Sequence, residues 1–160
     1  MALRTILEYP DVSLRKISRA VTKFDKRLHI LLDDMAETLR DIGGAGLAAV
    51  QVGVLRRVCV VEVEENNLIE FINPEVIETD GEQSGPEGCL SIPGKSGLVT
   101  RPLKVRVRAF DRHGNPFEAE GEDLKARAIC HELDHLDGKL YTDLAVKMAD
   151  SVEELMTIDN

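Results

Sequence analysis

The stretch His131-Glu132-Leu133-Asp134-His135 constrains this chain more than any other. Residues four apart lie on one face of an α-helix, one turn above the other, so His131 and His135 can bind the same divalent metal. Glu132 lies about 100° further round such a helix, where its carboxylate can reach a water molecule beside the metal without being a ligand. The spacing is therefore typical of a metal-dependent hydrolase. The alternative at this point is an ordinary amphipathic helix whose two histidines lie in the core or on the surface.

The composition is that of a globular protein with one hydrophobic core. A chain of 160 residues, 43% hydrophobic and 31% charged, suits a single domain spanning residues 1–160. It has no run of eighteen or more apolar residues, so we expect no membrane span. The first residues lack the apolar segment of a signal peptide and the Arg- and Ser-rich bias of a transit peptide, which favours a cytoplasmic protein.

The net charge and the cysteines argue against two further classes of protein. A net charge of −9 disfavours stable binding to the nucleic-acid backbone. Cys59, Cys89 and Cys130 are an odd number in a chain without a secretion signal, so each is expected to be a free thiol or a metal ligand. Cys59 stands inside an apolar run, and we expect it to be a small buried side chain.

Hydrophobic periodicity predicts a helix followed by strands. Apolar residues at helical spacing indicate a helix that ends at Gly43, with a cap in the segment from Thr22 to Asp25. Residues 81–88 are expected to form a loop, since glycine and proline are frequent there. Strands are predicted at 57–63, 68–72, 76–78, 103–110 and 117–121.

The metal-motif helix follows these strands. We expect Glu122 and Asp123 in its first turn, where the helix dipole favours acids, and Gly138 just past its end. A short last helix would carry Leu144, Met148, Val152 and Leu155. The order of elements predicts an α+β fold, a single domain with antiparallel or mixed β-sheets packed around the helix of the His-Glu-x-x-His motif.

The third metal ligand has two candidates on spacing alone. Glu153 or Glu154, 18 and 19 residues beyond His135, would give a site like that of thermolysin-type metallopeptidases. Cys89, in a glycine-flanked segment, would instead give a Cys/His/His site. A third alternative, from another class, is a structural or binding module with a closed metal site or none.

Three separate stretches of the chain resemble the peptide deformylase family. That family shows the motifs G-x-G-L-A-A-x-Q, E-G-C-L-S and H-E-x-D-H in this order. They stand here at residues 44–51, 87–91 and 131–135 without a substitution at a defining position. The resemblance covers essentially the whole chain, whereas the peptidase alternative leaves Cys89 and Gln51 without a role.

The resemblance implies an activity and a catalytic apparatus. Family members hydrolyse the formyl group from the formyl-methionine terminus of newly made proteins and release formate. Cys89, His131 and His135 match the metal ligands, and Glu132 matches the group that accepts a proton from water. The side-chain amide of Gln51 and the backbone N–H of Leu90 match the donors to the oxyanion, and the backbone of Gly46 matches the position that pairs with the extended substrate.

The resemblance also suggests how the substrate is bound. Leu124 and Ala128 lie seven and three residues before His131 on the same helix face, as expected for walls of a methionine pocket. Arg127 is a further candidate whose direction, towards the pocket mouth or towards solvent, is left open. Glu87 is a further candidate substrate-binding residue. Together with Arg101 it also matches a family pair that holds the segment containing Cys89.

The expected cofactor is one divalent metal per chain. The family favours Fe²⁺, and a Cys/His/His set also suits Zn²⁺, Ni²⁺ or Co²⁺. The expected partners are the N-formylmethionyl peptides of nascent chains, with no stable nucleic-acid binding and no membrane. Proximity to the ribosome would be transient, because the last residues carry no basic group and four acids, namely Asp150, Glu153, Glu154 and Asp159.

Overall fold

The computed structural model describes residues 2–157; Asp159, part of the acidic tail noted above, lies outside them. Three α-helices and eight strands lie within this range: α1 Lys26–Ile42, β1 Gly46–Ala48, β2 Val58–Val61, β3 Ile69–Asp80, β4 Gln83–Cys89, β5 Ile92–Arg101, β6 Lys104–Phe110, β7 Pro116–Glu122, α2 Leu124–Leu136, β8 Lys147–Ala149 and α3 Val152–Thr157. The strands form two antiparallel sheets, one ordered β1-β2-β3-β6-β7 and the other β4-β5-β8. This confirms the α+β prediction.

Helix α1 begins and ends as its sequence predicts. Its N-cap is Asp25, at the end of the predicted Thr22-x-x-Asp25 segment, and the Asp25 carboxylate accepts a hydrogen bond from the Leu28 N–H at 3.1 Å. Its C-cap is Gly43, which adopts the left-handed conformation that glycine tolerates best. The buried face of α1 packs against β1 and β2.

Strand β2 is buried on both faces, which explains its continuous apolar sequence. Val58 and Val60 pack into the cluster that contains α1. Cys59 and Val61 point the other way, into the cluster that contains α2. Cys59 is therefore a small buried core residue, as predicted, and burial raises the pKa of its thiol well above the ordinary value.

The loop predicted at residues 81–88 is wrong, because most of this segment belongs to strand β4. Its Gly and Pro residues have low strand propensity, which is why the sequence predicted a loop. β4 is an edge strand, however, and a proline is tolerated there because its missing N–H can lie on the unpaired side. β4 and β5 form a hairpin in which Cys89 pairs with Ile92, leaving a two-residue turn between them.

The C-terminal segment also differs from its prediction. Residues 144–149 are not helical, and Lys147–Ala149 forms strand β8 beside β5, with Ser96 opposite Ala149. A helix is present only at Val152–Thr157. Of the four apolar residues at helical spacing, Met148 therefore lies in β8, Val152 and Leu155 lie in α3, and Leu144 lies in the turn before them.

Helix α2 packs against β1, β2 and β7 of the large sheet and also contacts β5 of the small one. Glu122 is the last residue of β7, and Asp123, with a φ of 55°, is the N-cap of α2. The prediction that both acids lie in the first turn of this helix is therefore wrong. Gly138 follows the helix at positive φ, and a side chain there would clash with the backbone oxygen of Arg15. Among residues 2–157, no helix is both long enough and apolar enough to cross a membrane.

Candidate active site and metal centre

Cys89, His131 and His135 come together where the end of β4 faces α2. One ligand atom from each lies within 4.8 Å of the others, and the Cys89 Sγ is 3.4 Å from the His135 Nε2. The two imidazole rings project from one face of α2 with their centroids 5.0 Å apart. Three converging ligands with one side open are the arrangement of a catalytic metal site.

The alternative ligands from the C-terminal segment lie elsewhere. Glu153 and Glu154 are exposed on α3, and Glu154 borders a separate surface depression beside β8. The structure therefore brings Cys89, and neither glutamate, to the two histidines.

The chemistry of these side chains fits a divalent metal. Burial lowers the pKa of His135 to about 3, which keeps that ring neutral and able to donate a lone pair. Burial also opposes protonation of His131, but the charge of Glu132 and the hydrogen bonds to Cys89 and Glu87 outweigh it and raise the pKa of His131 to about 10, so the site favours a positive charge. A thiolate with two imidazoles is a donor set for Fe²⁺, Zn²⁺, Co²⁺ or Ni²⁺. Beside them the Glu132 Oε1 is buried and has no hydrogen-bond partner within residues 2–157, as expected of a carboxylate that receives a water or substrate proton.

Glu132 is held in a narrow space between α2 and β1. Its side chain is buried, and this burial raises the pKa of its carboxyl to about 7. A side chain added at Gly46 would place its Cβ 2.6 Å from the Glu132 Oε2 and 2.7 Å from its Cγ. Gly46 thus leaves room for the Glu132 carboxylate, a contact that the sequence did not reveal.

The side-chain amide of Gln51 is oriented by contacts on both sides. Its Oε1 accepts a hydrogen bond from the Ala48 N–H at 2.9 Å, so its Nε2 faces the metal centre. That nitrogen donates to the Ser91 hydroxyl at 3.0 Å and lies 3.6 Å from the Cys89 Sγ. Leu90 lies in the turn between β4 and β5. Sequence reasoning missed the buried Ser91, although it is the last residue of the second motif.

Glu87 is the centre of a buried ionic network. Its Oε1 lies 2.5 Å from the His131 Nδ1 and 2.6 Å from Arg101, and its Oε2 accepts a hydrogen bond from Arg127 at 2.7 Å. Burial opposes ionisation of Glu87, but hydrogen bonds from His131 and Arg101 outweigh it and lower its pKa to about 2. Arg101 also bonds Asp134 at 2.6 Å, which ties β5 to α2.

A cleft of about 350 Å³ opens beside the three ligands. Leu124 lies at its rim with 58% of its surface exposed, while Ala128 is buried deeper in the wall. Arg127 also lines the cleft, but its guanidinium turns inwards to Glu87 rather than to solvent. The other residues that line the cleft come from the three motif regions of the sequence: 44–46 and Gln51, 86–90, and His131 with Glu132.

Known proteins are similar to this chain in sequence and in fold. The model of the polypeptide deformylase family matches residues 3–151. A peptide deformylase of Lachnoclostridium phytofermentans is 53% identical over 161 residues, which cover 99% of this chain and 97% of that protein. The chain belongs to the polypeptide deformylase family. It is therefore a metal-dependent hydrolase that removes the formyl group from the formyl-methionine of newly made proteins and releases formate.

Other deformylases support the assignment in sequence and in structure. The peptide deformylase of Caldanaerobacter subterraneus subsp. tengcongensis is 52% identical over 153 residues, 96% of each chain. The crystal structure of a peptide deformylase from Legionella pneumophila superposes with a TM-score of 0.87 at 43% identity, covering 97% of this chain and 90% of that one. A deformylase from Ehrlichia chaffeensis in complex with actinonin gives a TM-score of 0.88 at 35% identity, covering 92% and 91%.

Proposed function

We propose that Cys89, His131 and His135 hold one divalent metal and that Glu132 is the general base of deformylation in this enzyme. The observation that carries the proposal is the convergence of the three ligand atoms within 4.8 Å, with the Glu132 side chain on the adjacent helix position. When bound there, the metal would supply Lewis-acid polarisation and make water more acidic.

Glu132 handles the proton in both halves of the reaction. Its Oε1, which has no protein partner among the described residues, accepts a proton as the water oxygen forms a bond to the formyl carbon. The same carboxyl then delivers that proton to the methionine nitrogen as the carbon–nitrogen bond breaks. The products are formate and a free amine.

Gln51 and Leu90 stabilise the negative charge that develops on the formyl oxygen. The Gln51 amide is held by the Ala48 N–H, so its Nε2 is in place before the reaction begins. We assign the second donor to the backbone N–H of Leu90, the residue that follows Cys89 in the turn between β4 and β5. Neither donor brings a competing charge.

The substrate lies along the cleft in an extended conformation. The backbone of Gly46, in edge strand β1, pairs with the peptide next to its formyl group. Leu124, Ala128 and the aliphatic part of Arg127 surround the methionine side chain. Glu87, counted above with the substrate-binding residues, orients His131, because both of its oxygens already have protein partners.

The cofactor and cellular setting follow from the same reasoning. We propose Fe²⁺ as the native metal, with Zn²⁺, Ni²⁺ and Co²⁺ as ions that the same donors accept. Residues 1–160 act as one catalytic domain in the cytoplasm, on N-formylmethionyl peptides of nascent chains. The acidic net charge supports transient proximity to the ribosome rather than stable binding to RNA.

The test is formate release from a formyl-Met tripeptide, measured on protein purified without oxygen and with its metal counted in the same sample. Glu132→Ala is expected to lower kcat by about 10²–10⁴-fold while the metal stays bound. Cys89→Ser is expected to lower the metal content, whereas Glu153→Ala, at an exposed candidate ligand of the peptidase alternative, changes neither quantity. Metal-loaded Glu132→Ala protein with the parent's kcat would contradict the assigned base.

A further inference from the structure

Arg127 has a role beyond lining the cleft. Its side chain is buried, and its guanidinium donates one hydrogen bond from Nη1 to the Glu87 Oε2 at 2.7 Å and one from Nη2 to the Val99 oxygen at 3.1 Å. The backbone oxygen of Val99 belongs to strand β5. Arg127 therefore links α2, which carries two metal ligands, to both strands of the hairpin that carries the third.

The Glu87 carboxylate transmits this contact to a metal ligand. A carboxylate is planar, so a hydrogen bond that holds its Oε2 also sets the direction of its Oε1, which lies 2.5 Å from the His131 Nδ1. A partner on the outer nitrogen of a ligating histidine sets its tautomer, its ring orientation and its strength as a ligand. Arg101 bonds both oxygens of Glu87 as well as Asp134, but its hydrogen bond to the Glu87 Oε2 is 3.2 Å long, so Arg127 supplies the shorter of the two bonds to that oxygen.

The position of Arg127 in the cleft gives the link a functional meaning. Its side chain lines the same cleft as Leu124 and Ala128, whereas its guanidinium reaches the carboxylate behind His131. Arg127, in the wall expected to contact the substrate methionine, and the metal ligand His131 thus contact the same carboxylate, that of Glu87. Leu124 lies on the same cleft wall and is largely exposed at its rim.

We propose that Arg127 is a positioning residue for the metal centre, acting through Glu87 on the orientation of His131. The proposal rests on the metal site proposed above. It requires the forked geometry of the guanidinium, since one fork bonds a carboxylate and a backbone oxygen at the same time. A neutral side chain at this position would leave the Glu87 Oε2 with only the longer hydrogen bond from the Arg101 Nε, at 3.2 Å, and so weaken the hold on the carboxylate that faces His131.

The test measures metal binding without substrate. Co²⁺ is titrated into chelator-treated parent, Arg127→Met and Arg127→Lys proteins, and its visible absorption reports both occupancy and ligand geometry. Arg127→Met, which keeps much of the stem but loses the donors, is expected to bind Co²⁺ about 10–100-fold more weakly and with a shifted spectrum. Arg127→Lys is expected to lie between it and the parent.

Leu124→Ala is the matched control on the same cleft wall. It is expected to raise KM for the formyl-Met peptide and to leave Co²⁺ affinity and spectrum as in the parent. Arg127→Met protein with the parent's Co²⁺ affinity and spectrum would overturn the proposal. If that variant does not fold, as judged by circular dichroism, parent-like values for Arg127→Lys would overturn it equally. A parent that binds no Co²⁺ would refute the metal centre itself, a different and separately visible failure.

Discussion

Gly46 and Glu132 occupy one small volume of the cleft. A Cβ at Gly46 would lie 2.6 Å from the Glu132 Oε2, well inside van der Waals contact. The atoms it would meet are the far end of a side chain, but Glu132 is buried and has little space into which to move. The glycine is therefore needed by the proposed base itself, and any added side chain should displace it.

Gly46→Ala is expected to lower kcat by about 10²-fold with little change in KM, because a displacement of about 1 Å in a reacting group has an effect of this size. In a Glu132→Asp background, Gly46→Ala should lower kcat by less than about tenfold, since the shorter side chain leaves room for the added methyl group. The measurement is a double-mutant cycle on kcat and KM, with metal content determined for each variant.

An equal loss in both backgrounds, accompanied by a higher KM, would contradict this interpretation. Gly46 would then act only by letting the substrate backbone approach. The Glu132→Asp single variant serves as the control, because it reports the cost of shortening the base with the glycine intact.

Helix α1 shows what a local pattern predicts at the scale of an element. Its apolar spacing and its Gly43 terminus were readable from the sequence, because both depend on residues within the helix. The hairpin of β4 and β5 was not readable, since the Gly and Pro residues of β4 favour a loop and only its pairing with β5 makes it a strand. That hairpin is the element that carries Cys89.

Asp25→Ala should reduce the free energy of unfolding by about 1 kcal/mol, within a range of about 0.5–2 kcal/mol. The loss follows because the Leu28 N–H would no longer have the carboxylate that accepts its hydrogen bond. Urea unfolding of the metal-loaded proteins is the measurement. Thr22→Ala, at the other end of the predicted cap, should stay within about 0.5 kcal/mol of the parent. A larger loss for Thr22→Ala than for Asp25→Ala would contradict the assignment of the cap.

At the scale of the whole molecule, the N-terminal segment joins parts that are distant in sequence. The Leu7 N–H donates to the backbone oxygen of Gln51 at 2.7 Å, and the Tyr9 N–H donates to the backbone oxygen of Ser91 at 2.7 Å. The segment thus holds the backbones on either side of the proposed oxyanion site. Its beginning is attached to α1, where the Arg4 Nε donates to the buried Asp34 carboxylate at 2.9 Å.

This attachment makes part of the stability depend on pH. Burial of Asp34 favours its neutral form, but hydrogen bonds from the Ala2 N–H and from Arg4 outweigh burial and lower its pKa. A carboxyl whose pKa is lower in the folded protein contributes stability above its unfolded pKa of about 3.9. That contribution is lost as pH falls through the folded pKa.

Asp34→Asn is therefore expected to be less stable than the parent at pH 6, with a difference that narrows as pH falls below about 4. The measurement is the free energy of unfolding of both proteins across this range at one metal concentration. Other carboxyl groups titrate in both proteins, so the difference between the two curves isolates Asp34. Curves that stay parallel down to pH 3 would rule out the contribution assigned to this ion pair.

The sequence by itself determined the features that depend on short spacing. The His-Glu-x-x-His face follows from helical geometry, the alternating strand near residues 103–110 follows from the two-residue period of a strand, and the three motifs together predicted the family. These patterns are legible because each lies within one element or one short segment.

Only the tertiary structure decided how those segments meet. It placed Cys89 against His135, 46 residues away, while leaving Glu153 and Glu154 exposed on α3. It also turned Arg127 towards Glu87 and set Gly46 against Glu132. Such contacts depend on strand pairing and helix packing summed over the whole core, and no local period in the sequence records which distant side chains that packing brings together.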